Sequence, residues 1–453
     1  MIRVKRVSFE SRETHFSPPR RVHALAIVVL LLLVAAAVLI DPVRGARSSA
    51  ATARPAQARL AATTTQAAQQ TFRMLSSDAE WRAGTQEGTT VSSGSLRMGT
   101  PRGRLSYAGS GWSWSRWTSP WIAPGQTFTQ LIPSWNITTP RRTMVLVQAR
   151  VHSTSGYLSG WKLVGVWSSR DAAIRRTTGG SQTDRIASMS TDTLVARAGV
   201  QLNSYQLRLL PLRRPASTVS PTVRAVQAVA SRPSSILPTT SRPLLPAPRE
   251  GRVLNVPRYS QMTHRGQYPR WGGGGQAWCS PTSLSMILGY YRRLPAASTY
   301  AWVKRSYADP WVDHVARSVY DYGYHGAGNW AFNTAYAAVR TGDAFVTRLA
   351  NLQDAERFIA AGIPLVASIG FSRGQLSGAP ISSTAGHLVV ITGFTSTGDV
   401  VVNDPAASSN SSVRRTYDRG QFERVWLGSS SGTVYVVRDG AHPLPARGAN
   451  RNW

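Results

Sequence analysis

One cysteine, Cys279, stands in 453 residues. A lone thiol closes no intramolecular disulfide, so the chain is not a disulfide-stapled scaffold and the folded parts must rest on packed cores and hydrogen bonds. Metal-ligand spacings are missing too: the sequence has no HExxH, no paired CxxC and no convergent His/Asp set, which excludes the common zinc sites. The glycine run Gly272 to Gly275 is not followed by Lys-Ser/Thr, so it is no phosphate-binding loop. No metal and no cofactor are expected. Lysine is scarce, with Lys5, Lys162 and Lys304 the only three among 52 basic residues, and acidic residues number 21, leaving a formal net charge of +31. Such a charge favours anionic partners. The arginines are spread along the chain and no RNP-like, zinc-finger or basic-zipper pattern occurs, so no nucleic acid is expected. A solvated arginine surface, or contact with an anionic cell-envelope polymer, fits better.

Only one long apolar run exists, Ala24 to Ile40, preceded by Arg3, Lys5, Arg6, Arg12, Arg20 and Arg21. A basic segment followed by an apolar core is an export signal, and the same charge bias places the N-terminus inside if the segment stays in the membrane. Its 17 residues sit at the short limit for a spanning helix. Residues 1–50 are therefore expected to be a signal peptide or an N-terminal membrane anchor, and the remainder secreted or extracytoplasmic and membrane-anchored.

Residues 51–71, rich in Ala, Arg, Thr and Gln, read as a disordered linker. From 72 to 230 short apolar or alternating stretches recur between Gly, Pro, Ser and Asn clusters, among them Thr127 to Ile132, Thr143 to Val151, Tyr205 to Leu210 and Val223 to Val229. That pattern predicts an all-β, sandwich-like domain. Its tryptophans at 112, 114, 117, 121, 135, 161 and 167 suit a sandwich core. If any bind a polymer or an extended peptide, the 112–121 group is the best placed. Residues 231–250 carry five prolines and read as a semi-rigid spacer. Residues 251–440 then change to mixed α and β, with helices expected over Cys279 to Tyr291, Phe332 to Val339 and Leu352 to Ala360, followed by strands over Leu365 to Ile369, Leu388 to Phe394, Val400 to Asn403 and Val434 to Val437. Helices first and antiparallel strands afterwards argue for an α+β domain, with 441–453 as a tail.

Cys279 opens the first of these helices, with Pro281 in the first turn where its missing N–H costs nothing. A cysteine there feels the unpaired N–H groups and the helix dipole, both of which favour thiolate. Nucleophilic thiol chemistry also needs an imidazole and an acceptor that fixes its tautomer. Of eight histidines, His387 has the best setting, entering the apolar run Leu388 to Ile391, while VVVNDP at 400–405 places Asn403 and Asp404 at the end of the next strand. A hairpin brings one of them to His387, and Asp404 is preferred.

The blocks NVPRYSQM at 255–262, WCSPTSLSMILGYY at 278–291, AGIPLVASI at 361–369, GHLVVITGF at 386–394 and VVNDP at 401–405 together resemble the peptidase C39-like family of papain-fold proteins. The resemblance spans residues 253 to 438. It implies a papain-like fold, a cysteine peptidase acting on peptide or protein substrates, and roles for Cys279 as nucleophile, His387 as general base and Asp404 as third member. It also implies a glutamine donor to the developing oxyanion, which is Gln261 by block position or Gln276 by proximity, Gln261 being preferred. Ser280 stands where the family's glycine follows the cysteine, a side chain expected to narrow the oxyanion pocket. Trp271, Trp278, Tyr324, Trp330 and the loop Phe371 to Thr384 are expected to line the substrate site. Two other readings remain: a cell-wall amidase or transpeptidase, and a non-catalytic envelope-binding protein with a papain-like scaffold.

Overall fold

In the strand Thr143–Ser153, Val145, Val147, Ala149 and Val151 are buried while Leu146, Gln148, Arg150 and His152 are partly exposed, the period of two that a sheet with one covered face requires. This strand pairs antiparallel along its length with Leu202–Arg213, whose Tyr205, Leu207 and Leu209 face Val151, Ala149 and Val147. The computed structural model describes residues 69–171, 174–234, 239–244, 251–447 and 451–453. The expected export segment 24–40 and the linker up to residue 68 lie outside the described residues. Among the described residues no helix is long and apolar enough to cross a membrane.

The first domain is built from two antiparallel sheets. One centres on the two strands above, with Lys162–Trp167 on one side and Arg116–Thr118, Ser110–Trp114 and Gly103–Tyr107 on the other. The second centres on Gln130–Thr138 and Thr222–Arg232, with Gln69–Leu75 on the latter and the hairpin Ala187–Ser190/Thr193–Ala196 on the former. A short helix, α1 (Asp78–Ala83), begins with a reciprocal Ser77/Glu80 capping box. Strand Gln130–Thr138 runs past the expected Thr127 to Ile132 and contains Pro133. Proline is tolerated there because the neighbouring hairpin strand pairs only with Gln130 and Leu131, so the proline side of the strand carries no ladder.

The second domain is α+β, as the order of helical and strand patterns predicts. Its antiparallel sheet runs Asp343–Arg348, Thr433–Arg438, Leu365–Phe371, Thr384–Phe394, Val400–Asn403, Arg414–Tyr417, with Arg252–Val253 added to Thr384–Phe394. Helices α2 (Cys279–Tyr290), α3 (Pro310–Val319), α4 (Trp330–Thr341), α5 (Leu352–Ala360) and α6 (Arg419–Ser430) pack around it. Helix α2 is buried on nearly every side from Ser280 to Leu288, and its Ser283 hydroxyl donates to the Leu388 carbonyl at 3.0 Å. That bond ties the cysteine-bearing helix to the histidine-bearing strand.

One hydrophobic core runs through both domains, and a smaller cluster around Trp112 and Leu212 stays within the first. Trp135 and Trp167 of the first domain lie 6.0 and 5.6 Å from Phe332 of α4. Gly165 is required at this joint, since a Cβ there would come within 2.9 Å of the Phe332 ring. Polar groups follow the same route: Asn136 donates to Asp343 at 2.9 Å, and the buried Arg176 donates to the Arg317 and Tyr320 carbonyls. Within the proline-rich stretch, Ser241 donates to Glu423 of α6 and the Leu244 amide to Glu356 of α5. Of the tryptophan group at 112–121, Trp112 and Trp117 are buried, Trp114 is half-buried and Trp121 is exposed. Arg150 stacks on Trp121 and Trp161, and Arg208 on Trp161.

Candidate active site

Cys279 is the first residue of α2, behind Trp278, whose side chain makes no capping bond. The first-turn N–H groups therefore stay available to a charge placed before them. His387 lies in strand Thr384–Phe394, opposite Ile369 of Leu365–Phe371. Its neighbour on the other side, Val400–Asn403, pairs Asn403 with Val390, so the chain leaving that strand brings Asp404 level with the imidazole. His387 Nε2 and Asp404 Oδ1 are 2.7 Å apart. With Nε2 engaged, Nδ1 is the ring nitrogen left for Cys279, and the imidazole and the thiol each shift the other's charge. His387 and Asp404 are buried, whereas Cys279 is partly exposed.

Charge in this group is distributed by opposing effects. Burial pushes the Cys279 thiol up, but the hydrogen bond and charge of His387, with the Leu388 and Ser280 amides, outweigh it and hold the thiol below its ordinary value. Burial pushes His387 down, and the Asp404 carboxylate and Cys279 together raise it, to about 10. Asp404 is pushed up by burial and brought below its usual range by His387, the Tyr417 hydroxyl and the Ala406 amide. All three shifts favour a thiolate–imidazolium pair beside a carboxylate.

Asn403, the other acceptor of the Asn-Asp-Pro turn, turns away: its amide donates to the Val256 and Pro257 carbonyls and its oxygen accepts from Arg414. Tyr417, on the following strand Arg414–Tyr417, donates to Asp404 Oδ2 at 2.8 Å and has no counterpart among the residues singled out from sequence.

Residues 253–434 match the peptidase C39-like family. That part of the chain is a peptidase C39-like domain. Residues 71–231 match the peptidase C39 N-terminal domain, so both folded parts of the C39-like chain are accounted for. No curated protein matches it.

In the C39-like domain the two candidate glutamines are treated differently. Gln261 is buried and opens a short 3-10 turn, Gln261–His264; its Nε2 donates to the Gln276 carbonyl at 2.8 Å, which leaves one N–H of that amide uncommitted. The Gln276 side chain is engaged within its own loop, accepting from the Gly266 amide and donating to the Gly273 carbonyl. Ser280 does not narrow the site: its hydroxyl is fully buried and bonded to the Tyr435 hydroxyl at 2.9 Å, pointing away from the cleft.

Cys279, His387 and Gln261 line a cleft of about 990 Å³. Tyr324, Trp330 and Thr384 line it as expected, whereas Trp271 and Trp278 do not. Those two are buried beneath the glycine-rich loop, Trp278 Nε1 donating to the Trp271 carbonyl at 2.6 Å. A second buried pair, His264 Nδ1 and Asp313 Oδ2 at 3.0 Å, lies close to Trp278 and does not line the cleft. Its setting is that of a brace under α2. Among the described residues no group of three His, Cys, Asp or Glu side chains is placed to hold a metal ion.

Proposed function

We propose that this chain is an exported cysteine peptidase hydrolysing peptide bonds, with Cys279 as nucleophile and His387 as the group that moves protons. The observation that carries the reading is His387, held through Nε2 by Asp404 at 2.7 Å and lining one cleft with Cys279, whose thiol its charge lowers. The Cys279 thiolate attacks the scissile carbonyl carbon, and the carbonyl π pair moves onto oxygen. The Cys279 amide N–H and the free N–H of Gln261 receive that oxyanion, where donors are worth most. Collapse of the adduct breaks the C–N bond while the imidazolium gives its proton to the leaving amine, leaving a thioester. Water then attacks the thioester as His387 takes its proton. The second adduct expels the thiolate, releases the carboxylic acid product and restores the starting pair. Asp404 holds the ring orientation throughout.

Export rests on the basic and apolar pattern of residues 1–40, and an anionic envelope partner on the arginine excess. The test of catalysis is alkylation of the full chain by iodoacetamide alongside hydrolysis of a peptide library. Wild type is expected to label rapidly at neutral pH and His387→Ala much more slowly, with hydrolysis lost in Cys279→Ala. Equal labelling rates in wild type and His387→Ala would sink the reading.

A further inference from the structure

The wall of the cleft opposite the C39-like domain comes from the first domain. Ser190, Thr191, Asp192, Thr193 and Val195, at the tip and return strand of the hairpin Ala187–Ser190/Thr193–Ala196, line the same cavity as Cys279 and His387. Asp192 is 6% exposed. One carboxylate oxygen accepts from the Trp330 amide at 2.8 Å and the other from the Thr193 hydroxyl at 3.2 Å, which uses two of about four acceptor positions. Among the described residues no Lys, Arg or His comes within ion-pair distance of it. Arg348 shares the cavity and feels the Asp192 charge, but its guanidinium is held by the Ser231 and Thr433 hydroxyls and makes no ion pair with Asp192.

A buried carboxylate with no ion-pair partner is costly. Burial, with Asp321 adding to it, pushes Asp192 up to about 6. The turn that presents it is strained: Thr191, a β-branched residue, takes a φ of 53°, a conformation such residues rarely adopt. Tyr324, half-exposed on the rim, feels both the Asp192 and the Cys279 charge, so the carboxylate and the thiol act on one space.

We propose that Asp192 is a specificity-determining residue, forming with the first-domain hairpin a subsite for a cationic group of the substrate, a Lys or Arg side chain or a free N-terminal ammonium. This rests on the peptidase reading for its meaning, though the subsite itself can be tested without turnover. A cation entering the subsite meets a carboxylate already stripped of water and held by two donors, so it gains the attraction without the cost of drying that group. The first domain then acts as half of the substrate cleft.

The test compares wild type with Asp192→Asn, which keeps an oxygen for the Trp330 amide. Cys279 is modified with a cationic thiosulfonate (2-aminoethyl methanethiosulfonate), a neutral one (methyl) and an anionic one (2-sulfonatoethyl), each giving its alkylthio group to the Cys279 thiolate, a disulfide bond forming as the reagent's bond from that sulfur to the sulfonyl sulfur breaks and methanesulfinate leaves. The cationic-to-neutral rate ratio is expected to fall severalfold in Asp192→Asn and the anionic-to-neutral ratio to rise. Unchanged ratios, or one common change in all three rates, would overturn the subsite. Peptides carrying Lys or norleucine, each with a free or acetylated N-terminus, then separate the two sources of cation through kcat/KM. If no peptide is cleaved while the reagent ratios shift, the peptidase reading fails and the subsite stands.

Discussion

The Tyr417 hydroxyl donates to Asp404 Oδ2 at 2.8 Å while Asp404 Oδ1 meets His387 Nε2 at 2.7 Å. The carboxylate is thus clamped from both sides, and Tyr417 acts on the imidazole through it. Its hydroxyl is itself driven well above the ordinary phenol range by burial and by Asp404, so it stays a donor. Tyr417→Phe is expected to cost about 1–3 kcal/mol of stability, the range for leaving a buried acceptor unmet. It should also lower kcat with KM little changed, since the ring is mis-set and substrate contacts are not. Thermal melts and steady-state kinetics check this; a loss confined to stability would leave Tyr417 as packing only.

Cys279 alkylation should depend on pH in a way an ordinary thiol's does not. The thiol is held low and His387 high, to about 10, so the thiolate–imidazolium pair prevails between those limits. Labelling is expected to be near its plateau at neutral pH, falling only on the acid side as the thiolate gains a proton. In His387→Ala the favourable partner is gone and burial remains, so the midpoint moves up, to or beyond the free-thiol value of about 8.5. Rates of iodoacetamide incorporation, measured from well below neutrality to above that free-thiol value, give both curves.

Gln261 and Gln276 make opposite predictions. Gln261→Ala removes the uncommitted amide donor and is expected to lower kcat by about 10²–10³, the scale for one oxyanion donor, without slowing iodoacetamide labelling. Gln276→Ala loosens a loop whose two bonds stay within it and should leave kcat near wild type. Reversal of that order in single-turnover assays would reassign the donor.

Phe332→Ala empties the joint shared by Trp135 and Trp167. A loss of about 3–5 kcal/mol is expected for a fully buried aromatic. Calorimetry should show one cooperative transition for wild type and a single lower one for the variant; two independent wild-type transitions would contradict a common core.

Much of this arrangement is legible in the sequence because its signals are local. The spacing Leu284, Ile287, Leu288, Tyr291 marks α2, and a cysteine at its start needs no tertiary knowledge to stand out. His387 and Asp404 follow from a hairpin whose strands are adjacent in the chain. Helix α3 carries a comparable signal in Val312, Val315, Ala316 and Val319 behind Pro310, and α6 in Phe422, Val425 and Trp426. Tyr417 and Asp192 are not legible. Each matters through a partner whose distance is set by sheet order or by domain docking, and neither stands in a local pattern that marks it. Ser280 misleads for the same reason, since nothing in the chain near it announces that Tyr435 takes its hydroxyl.

Cys279 sits at the beginning of the second domain's first helix, whereas His387 comes from a strand, and Asp404 from the turn after the next strand, both made late in the chain. During synthesis the sulfur emerges long before its imidazole. It gains that partner only when the sheet forms and Ser283 locks helix to strand. Until then the thiol lacks the imidazole that lowers its pKa in the folded chain, so its activation waits on the sheet. The order of the residues along the chain serves as a timer, and the finished fold is what starts it.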